Sequence, residues 1–368
     1  MKKVRFFVFT AVFLSLCFPG FSDTLSRKVP RGEEAWRYLL KAEDAFAKGN
    51  FSAAIENADT ACARQKQHCE WERFTLENLL KKNSVRNAGD VLEDVILVLK
   101  EEENTEALGI INERLENFGR DFFSNSFSKL IEKEEFFSYC PEADYLTAKV
   151  YRLEGEYELA LTYMKRAYAY SLNLRVKDVK FDILYDIASL SEILSLDDDF
   201  ERHLLLILSE NEYFTNENLM NSLTRFIEGD EPSGVEKFFL LYRNNEYKSL
   251  KALVELSDFY ASKGETQKAL RCSALGSIIA VTKINESLKL RITNYDYKSF
   301  ANLIYTSTRN EEILEWGNNC DVWKLFYLFS KASIASGKLN FGLELTKILA
   351  ANTADSYWKK RFEALLVN

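Results

Sequence analysis

Four glycines far apart in the chain, Gly49, Gly155, Gly264 and Gly337, sit in one recurring setting. Seven residues before them stand Ala42, Ala148, Ser257 and Ser330. Five residues after stand Ala54, Ala160, Ala269 and Gly342, and nine after stand Ala58, Met164, Ser273 and Thr346. The flanking text carries apolar residues at three- and four-residue steps, the pattern of amphipathic helices. Small residues in the middle of a first helix and at the start of a second let two antiparallel helices approach closely. The glycine gives the turn between them its backbone freedom. Alanine at these positions sets a distance, and the surrounding leucines and aromatics supply the buried area.

A chain of 368 residues exceeds the usual size of a single core. It must hold two domains or add core by repetition. Only 4 prolines and 14 glycines interrupt it, its 28% of charged residues are spread along its length, and no Pro-rich or Gly/Ser-rich linker divides it. Repetition is therefore expected.

The pattern around the four glycines resembles the tetratricopeptide repeat (TPR), with its small residues at these offsets, an aromatic after the turn and a unit of about 34 residues. The clearest copies are residues 35–66, with "KAEDAFAKGNFSAAIENADTA", and 141–172, with "AKVYRLEGEYELALTYMKRA", where Phe51 and Tyr157 hold the aromatic position. Weaker copies are 250–281 and 323–352, where Thr266 and Leu339 replace the aromatic. The glycines are 106, 109 and 73 residues apart, near three, three and two repeat lengths. The intervals, "AGDVLEDVILVLKEEENTEALGIINERLENF" among them, are themselves helical in pattern. The expected fold is all-α: a right-handed solenoid of about eight or nine antiparallel hairpins, several degenerate, over residues 23–368.

The first residues are a separate object. Lys2, Lys3 and Arg5 precede the short apolar run "FFVFTAVFLSLCF" and the small residues Gly20 and Ser22. Residues 1–22 are thus expected to be a secretory signal peptide cut before Asp23. "LSLC" ending at Cys17 resembles a lipobox except for Leu16, so lipidation of Cys17 is the alternative maturation. Cleavage at Asp23 moves the formal charge from -8 to -11, which disfavours nucleic acid and leaves lipidation as the expected route to a membrane.

Five cysteines then remain, Cys62, Cys69, Cys140, Cys272 and Cys320. On one continuous helix Cys62 and Cys69 are about 10 Å apart in rise, too far to bridge. They could pair only if the helix ended between them, near "RQKQH". His68, beside Cys69, reads as a solvent-exposed residue at a helix end, and no second ligand pair accompanies it, so no metal is expected. Asp197, Asp198 and Asp199 ahead of His203 read as a helix cap. No phosphate loop, nucleophile elbow or HExxH helix occurs. No catalysis and no cofactor are expected.

The resemblance implies that positions two, five, nine and twelve of each first helix line a concave binding surface. They are Glu142, Tyr145, Lys149 and Arg152 in one repeat and Lys324, Tyr327, Lys331 and Ile334 in another. Tyrosine beside basic groups suits an extended peptide with acidic or C-terminal carboxylates. The carboxylate-clamp asparagine of the family is absent at position nine. The function expected is a periplasmic protein-interaction scaffold. A ligand-binding accessory of a transport system and an envelope-assembly lipoprotein are the alternatives.

Overall fold

The computed structural model describes residues 27–367; residues 1–22, expected to be a signal peptide, and Cys17 within them lie outside the described residues. Those residues are helical and contain no β-strand. No helix among them is long and apolar enough to cross a membrane.

The chain divides into two compact units between Leu146 and Thr147. The first holds α1 (Ala35–Ala47), α2 (Phe51–Leu79), α3 (Asn83–Ala88), α4 (Leu92–Glu101), α5 (Thr105–Phe118), α6 (Phe127–Glu132) and α7 (Glu134–Phe137). Helix α8 (Pro141–Glu154) starts in this unit and ends in the next. The second unit continues with α9 (Tyr157–Ala169), α10 (Val179–Ile193), α11 (Asp197–Leu208), α12 (Glu212–Thr215), α13 (Glu217–Glu228) and α14 (Gly234–Leu241). After a 3₁₀ turn at Tyr247–Ser249 come α15 (Leu250–Ser262), α16 (Thr266–Arg291), α17 (Phe300–Ser307), α18 (Glu311–Asn319), α19 (Val322–Ala335), α20 (Leu339–Asn352) and α21 (Ser356–Val367).

The four glycine turns are real. Each glycine lies between two helices with φ between +73° and +85°, a region that a Cβ disfavours. All twelve small-residue positions around them are buried, Met164 included. Gly342 goes furthest: a Cβ there would stand 2.9 Å from the Ile334 backbone nitrogen and 2.7 Å from its Cγ1. Ile334 thus packs on α20 and is no part of an open groove.

Two more hairpins share the same turn without glycine. Glu103, between α4 and α5, and Ser195, between α10 and α11, take left-handed φ values of 53° and 56°. Among the described residues six hairpins have this left-handed turn; the eight or nine expected from spacing included degenerate pairs without it. Their turn residues 49, 103, 155, 195, 264 and 337 are unevenly placed, for two reasons. Second helices α2 and α16 run 29 and 26 residues, past the ends of the repeats expected at 66 and 281. Short helices α12–α14 and α17–α18 fill the intervals after α11 and α16.

In the second unit the hairpins pack in chain order, α9 on α10, α11 on α15, α16 on α19 and α20 on α21. Within α16 every residue from Cys272 to Thr282 is buried. Gly276 makes this possible, since a Cβ there would stand 3.0 Å from Leu325 of α19 and 3.2 Å from Leu253 of α15. The inserted helices lie on the second-helix side, α13 against α16, and α14 and α17 against α20. In the first unit α2 packs along α1, α5, α6 and α7, around an apolar core that includes Leu76, Leu92, Phe123 and Phe127.

Candidate functional site: the first-helix face

In the second unit the last half of α8 and the first helices α10, α15 and α19 are linked through polar groups. The Arg152 guanidinium donates to Asp186 Oδ1 at 2.7 Å and to Ser189 Oγ at 3.2 Å on α10. Asp186 lies 34 residues beyond Arg152, the spacing of the repeat that the chain resembles. Tyr185 donates to the Lys248 carbonyl at 2.6 Å and accepts from the Ala252 amide at 3.1 Å, joining α10 to α15. Burial pushes the Tyr185 hydroxyl well above the ordinary phenol range. Lys324 of α19 pairs with Asp258 of α15 at 2.7 Å.

The second helices repeat the arrangement. Lys165 of α9 pairs with Asp199 of α11, again 34 residues on. Lys268 of α16 pairs with Glu201 of α11 at 3.6 Å, and Tyr260 donates to Glu201 at 2.6 Å. The aspartates at 197–199 form the first turn of α11, and Leu196 holds the cap position. They are not side-chain caps, and Lys165 holds Asp199 below the usual carboxylate range.

This geometry changes the expected binding set. Glu142, Tyr145 and Lys149 are half-buried on α8, the first two in the first unit and Lys149 in the second. Arg152 and Lys324 are held by carboxylates of the neighbouring helix. Tyr327 is covered by α21, whose Trp358 and Phe362 rings lie 6.2 and 6.3 Å away, with the Arg361 guanidinium 4.8 Å from its ring. Of the expected set only Lys331 is exposed. The face is therefore not basic but of mixed charge, with exposed Asp182 and Glu192 on α10 and Lys251 on α15 beside it. Neither aspartate was read as a partner from sequence: Asp186 stands one 34-residue offset beyond Arg152, and an insertion separates the helix of Asp258 from α11.

At the α10 start of this face lies a cleft of about 290 Å³, lined by Lys177, Lys180, Phe181, Tyr247 and Lys248 among others. Lys180 and Lys248 flank the Phe181 ring at 5.0 and 5.1 Å from its centroid. Their charges are met by Glu210 and Asp178. No sequence motif marks this cleft, since its walls come from a helix start, a helix end and a 3₁₀ turn.

The first unit holds a buried ionic cluster. Arg114 donates to Glu134 at 3.1 and 3.2 Å and also to Glu72, all three side chains being buried. His68 is not at a helix end: it lies inside α2, half-buried, 3.3 Å from Glu72 and stacked on Trp71 at 5.7 Å. The hydrogen bond to Glu72 raises its pKa. Ligand atoms of Cys69, Glu72 and Glu134 lie within 4.8 Å of one another, a spacing that suits a metal ion. The cation bonded to both carboxylates is the Arg114 guanidinium, so the cluster is satisfied as a structural one.

No described family's sequence profile matches the chain. It is 30% identical over 306 residues to an uncharacterized protein of Treponema pallidum (strain Nichols), a match that covers 82% of this chain and 81% of the other. The chain belongs to the same family as that treponemal protein.

Proposed function

We propose that the chain is an exported, periplasmic protein-interaction scaffold of TPR type, whose second unit is a short right-handed superhelix. What supports this reading above all is the placement of the insertions. Helices α13, α14 and α17 pack on the second-helix side, against α16 and α20, and Asp182 and Glu192 of α10 and Lys251 of α15 stay exposed. A repeat array binds extended segments along its first helices. The mixed charge of this face suits a peptide that carries both signs, in place of the acidic peptide expected from the lysines alone.

The test is recovery of the partner from the envelope of the native host, with Asp182, Glu192 and Lys331 reversed in charge together. These exposed residues should be dispensable for folding, so the variant should melt like the parent and lose the partner. Undiminished recovery would remove the face from the proposal. The mass of the mature chain tests export: it should begin at Asp23, or at a lipidated Cys17, and an intact Met1 would overturn both. Labelled palmitate on Cys17 would favour the envelope-assembly lipoprotein.

The cleft beside Phe181 favours a second reading, a ligand-binding accessory of a transport system. Native mass spectrometry of protein isolated from the host separates the two. A co-purifying small molecule lost in Phe181→Ala would support the accessory, and its absence beside a protein partner would support the scaffold.

A further inference from the structure

We propose that Cys62 and Cys140 are a disulfide-forming pair, closed by exchange with an oxidised thiol compound or a disulfide-bearing protein. The Cys140 thiol is in hydrogen-bond contact with the Cys62 sulfur. A second observation fixes this approach from the backbone. One turn after Cys62 on α2, Gln65 donates from Nε2 to the Phe137 carbonyl at 3.0 Å, and Phe137 precedes Cys140 by three residues. Helix α7 packs on α2 at this place. On the other side the Cys140 carbonyl accepts from the amides of Ala143 and Asp144 at 3.1 and 3.3 Å as α8 begins. Both cysteines are thus carried on hydrogen-bonded segments that are tied to each other next to the two sulfurs.

The pairing considered from sequence, Cys62 with Cys69, is excluded by the same helix. Helix α2 runs unbroken from Phe51 to Leu79, which keeps the two sulfurs on separate turns. Cys69 accepts from Gln65 Nε2 at 3.6 Å inside the buried cluster, and Cys272 is buried in α16 of the other unit.

The chemistry balances as two exchanges. Cys62 is the more exposed of the pair, so its thiolate attacks the incoming disulfide and expels one thiolate, leaving a mixed disulfide. The Cys140 sulfur then attacks the Cys62 sulfur, expels the second thiolate, and its proton passes to a leaving thiolate. Two protein thiols are oxidised and one disulfide becomes two thiols. The hydrogen bond to Cys62, with burial, pushes the Cys140 thiol up, which makes it the resolving group and not the first nucleophile. The bond closes a loop that contains α3 to α7, and it therefore limits the unfolded ensemble of the first unit. The export reading supplies the place where the oxidant is met; the ability to form the bond does not depend on it.

The experiment equilibrates the purified, reduced full chain with excess oxidised glutathione, traps free thiols by alkylation and maps the digest by mass spectrometry. A crosslinked peptide pair joining Cys62 to Cys140, lighter by two hydrogens, should dominate. Oxidation should raise the melting temperature of the parent by several degrees and leave Cys62→Ser unmoved. Both cysteines alkylated after equilibration, or glutathione held on Cys62 with Cys140 free, would overturn the pairing. Mapping of the unsubstituted chain decides this even if the variant folds poorly. The same mapping on chain taken from the host separates the two readings: a bond that forms with glutathione but is missing in the host counts against export and leaves the pairing standing.

Discussion

Helices α2 and α16 are both second helices of a glycine-turn hairpin, both about twice the length of α9 or α20, and each organises its own unit. They solve burial in opposite ways. Helix α2 puts a carboxylate, Glu72, against the core and meets it with Arg114 from α5 and His68 from its own preceding turn. Helix α16 has small and apolar residues all round from Cys272 to Thr282, with Gly276 where neighbours come closest. A buried charge is stable only with its partners in place, whereas a small-residue surface is tolerant of polarity and intolerant of volume.

The largest effect should come from breaking the charged solution. Arg114→Ala leaves Glu72 and Glu134 buried without their cation and should cost about 3–5 kcal/mol, read as early urea unfolding of the first unit. Replacing Arg114, Glu72 and Glu134 together by Met, Leu and Leu should recover most of it. In α16, Ser277→Ala should change stability by less than about 0.5 kcal/mol, since the buried Ser277 hydroxyl makes no protein hydrogen bond.

Volume gives the next effect, and in the other unit. Gly342→Ala would drive a Cβ against the Ile334 backbone, which cannot swing aside, and should cost about 1–3 kcal/mol. Ala160→Leu, at the matching position of α9, should cost a similar amount. Equal melting of these variants and the parent would show that the hairpin register is wrong.

Smaller and more diagnostic is pH. The chain has two histidines, one in each unit, shifted in opposite directions. His68 is raised above its ordinary value near 6.5 by Glu72. Its contribution is therefore complete below that pH and fades as pH rises through the folded pKa. His203 is lowered by burial while its Nδ1 donates to the Asp199 carbonyl at 2.6 Å. Its contribution is complete above pH 6.5 and fades as pH falls through the folded pKa. The melting-temperature difference between parent and His68→Gln should shrink from pH 5.5 to 8, and that for His203→Gln should grow. Parallel trends would contradict the two environments. The smallest effect expected is that of Glu158→Ala, on the exposed face of α9, within about 0.5 kcal/mol by thermal melting.

How much of this could be read from sequence depends on which residue carried the signal. Glycine is nearly obligatory where φ is positive and no other force insists, so Gly49, Gly155, Gly264 and Gly337 announced their turns. Glu103 and Ser195 adopt the same backbone at a strain cost of about 1–2 kcal/mol, and a search for glycine passes over them. The spacing did not locate the hairpin boundaries, because α2 and α16 are longer than one repeat's second helix. Their added turns follow the same apolar period, so nothing in the text marks where a repeat ends. At the first-helix face, the lysines and arginine were visible but their partners were not. Asp186 and Asp258 are ordinary helix-surface acids until the fold sets them beside Arg152 and Lys324. Arg114, in "NERLENF", reads as solvent-facing for the same reason.

The buried stretch of α16 has a consequence for how the molecule comes apart. A linear array of repeats can fray from its ends, each pair releasing with little effect on distant ones. Here one helix is clasped between α15 and α19 and roofed by α13 and α17, so its amides become reachable only when several neighbours let go together. In deuterated water the peptide hydrogens of Cys272–Thr282 should exchange at the rate set by global opening of the second unit, and those of α21 far sooner. The unit would then melt as one cooperative block around α16.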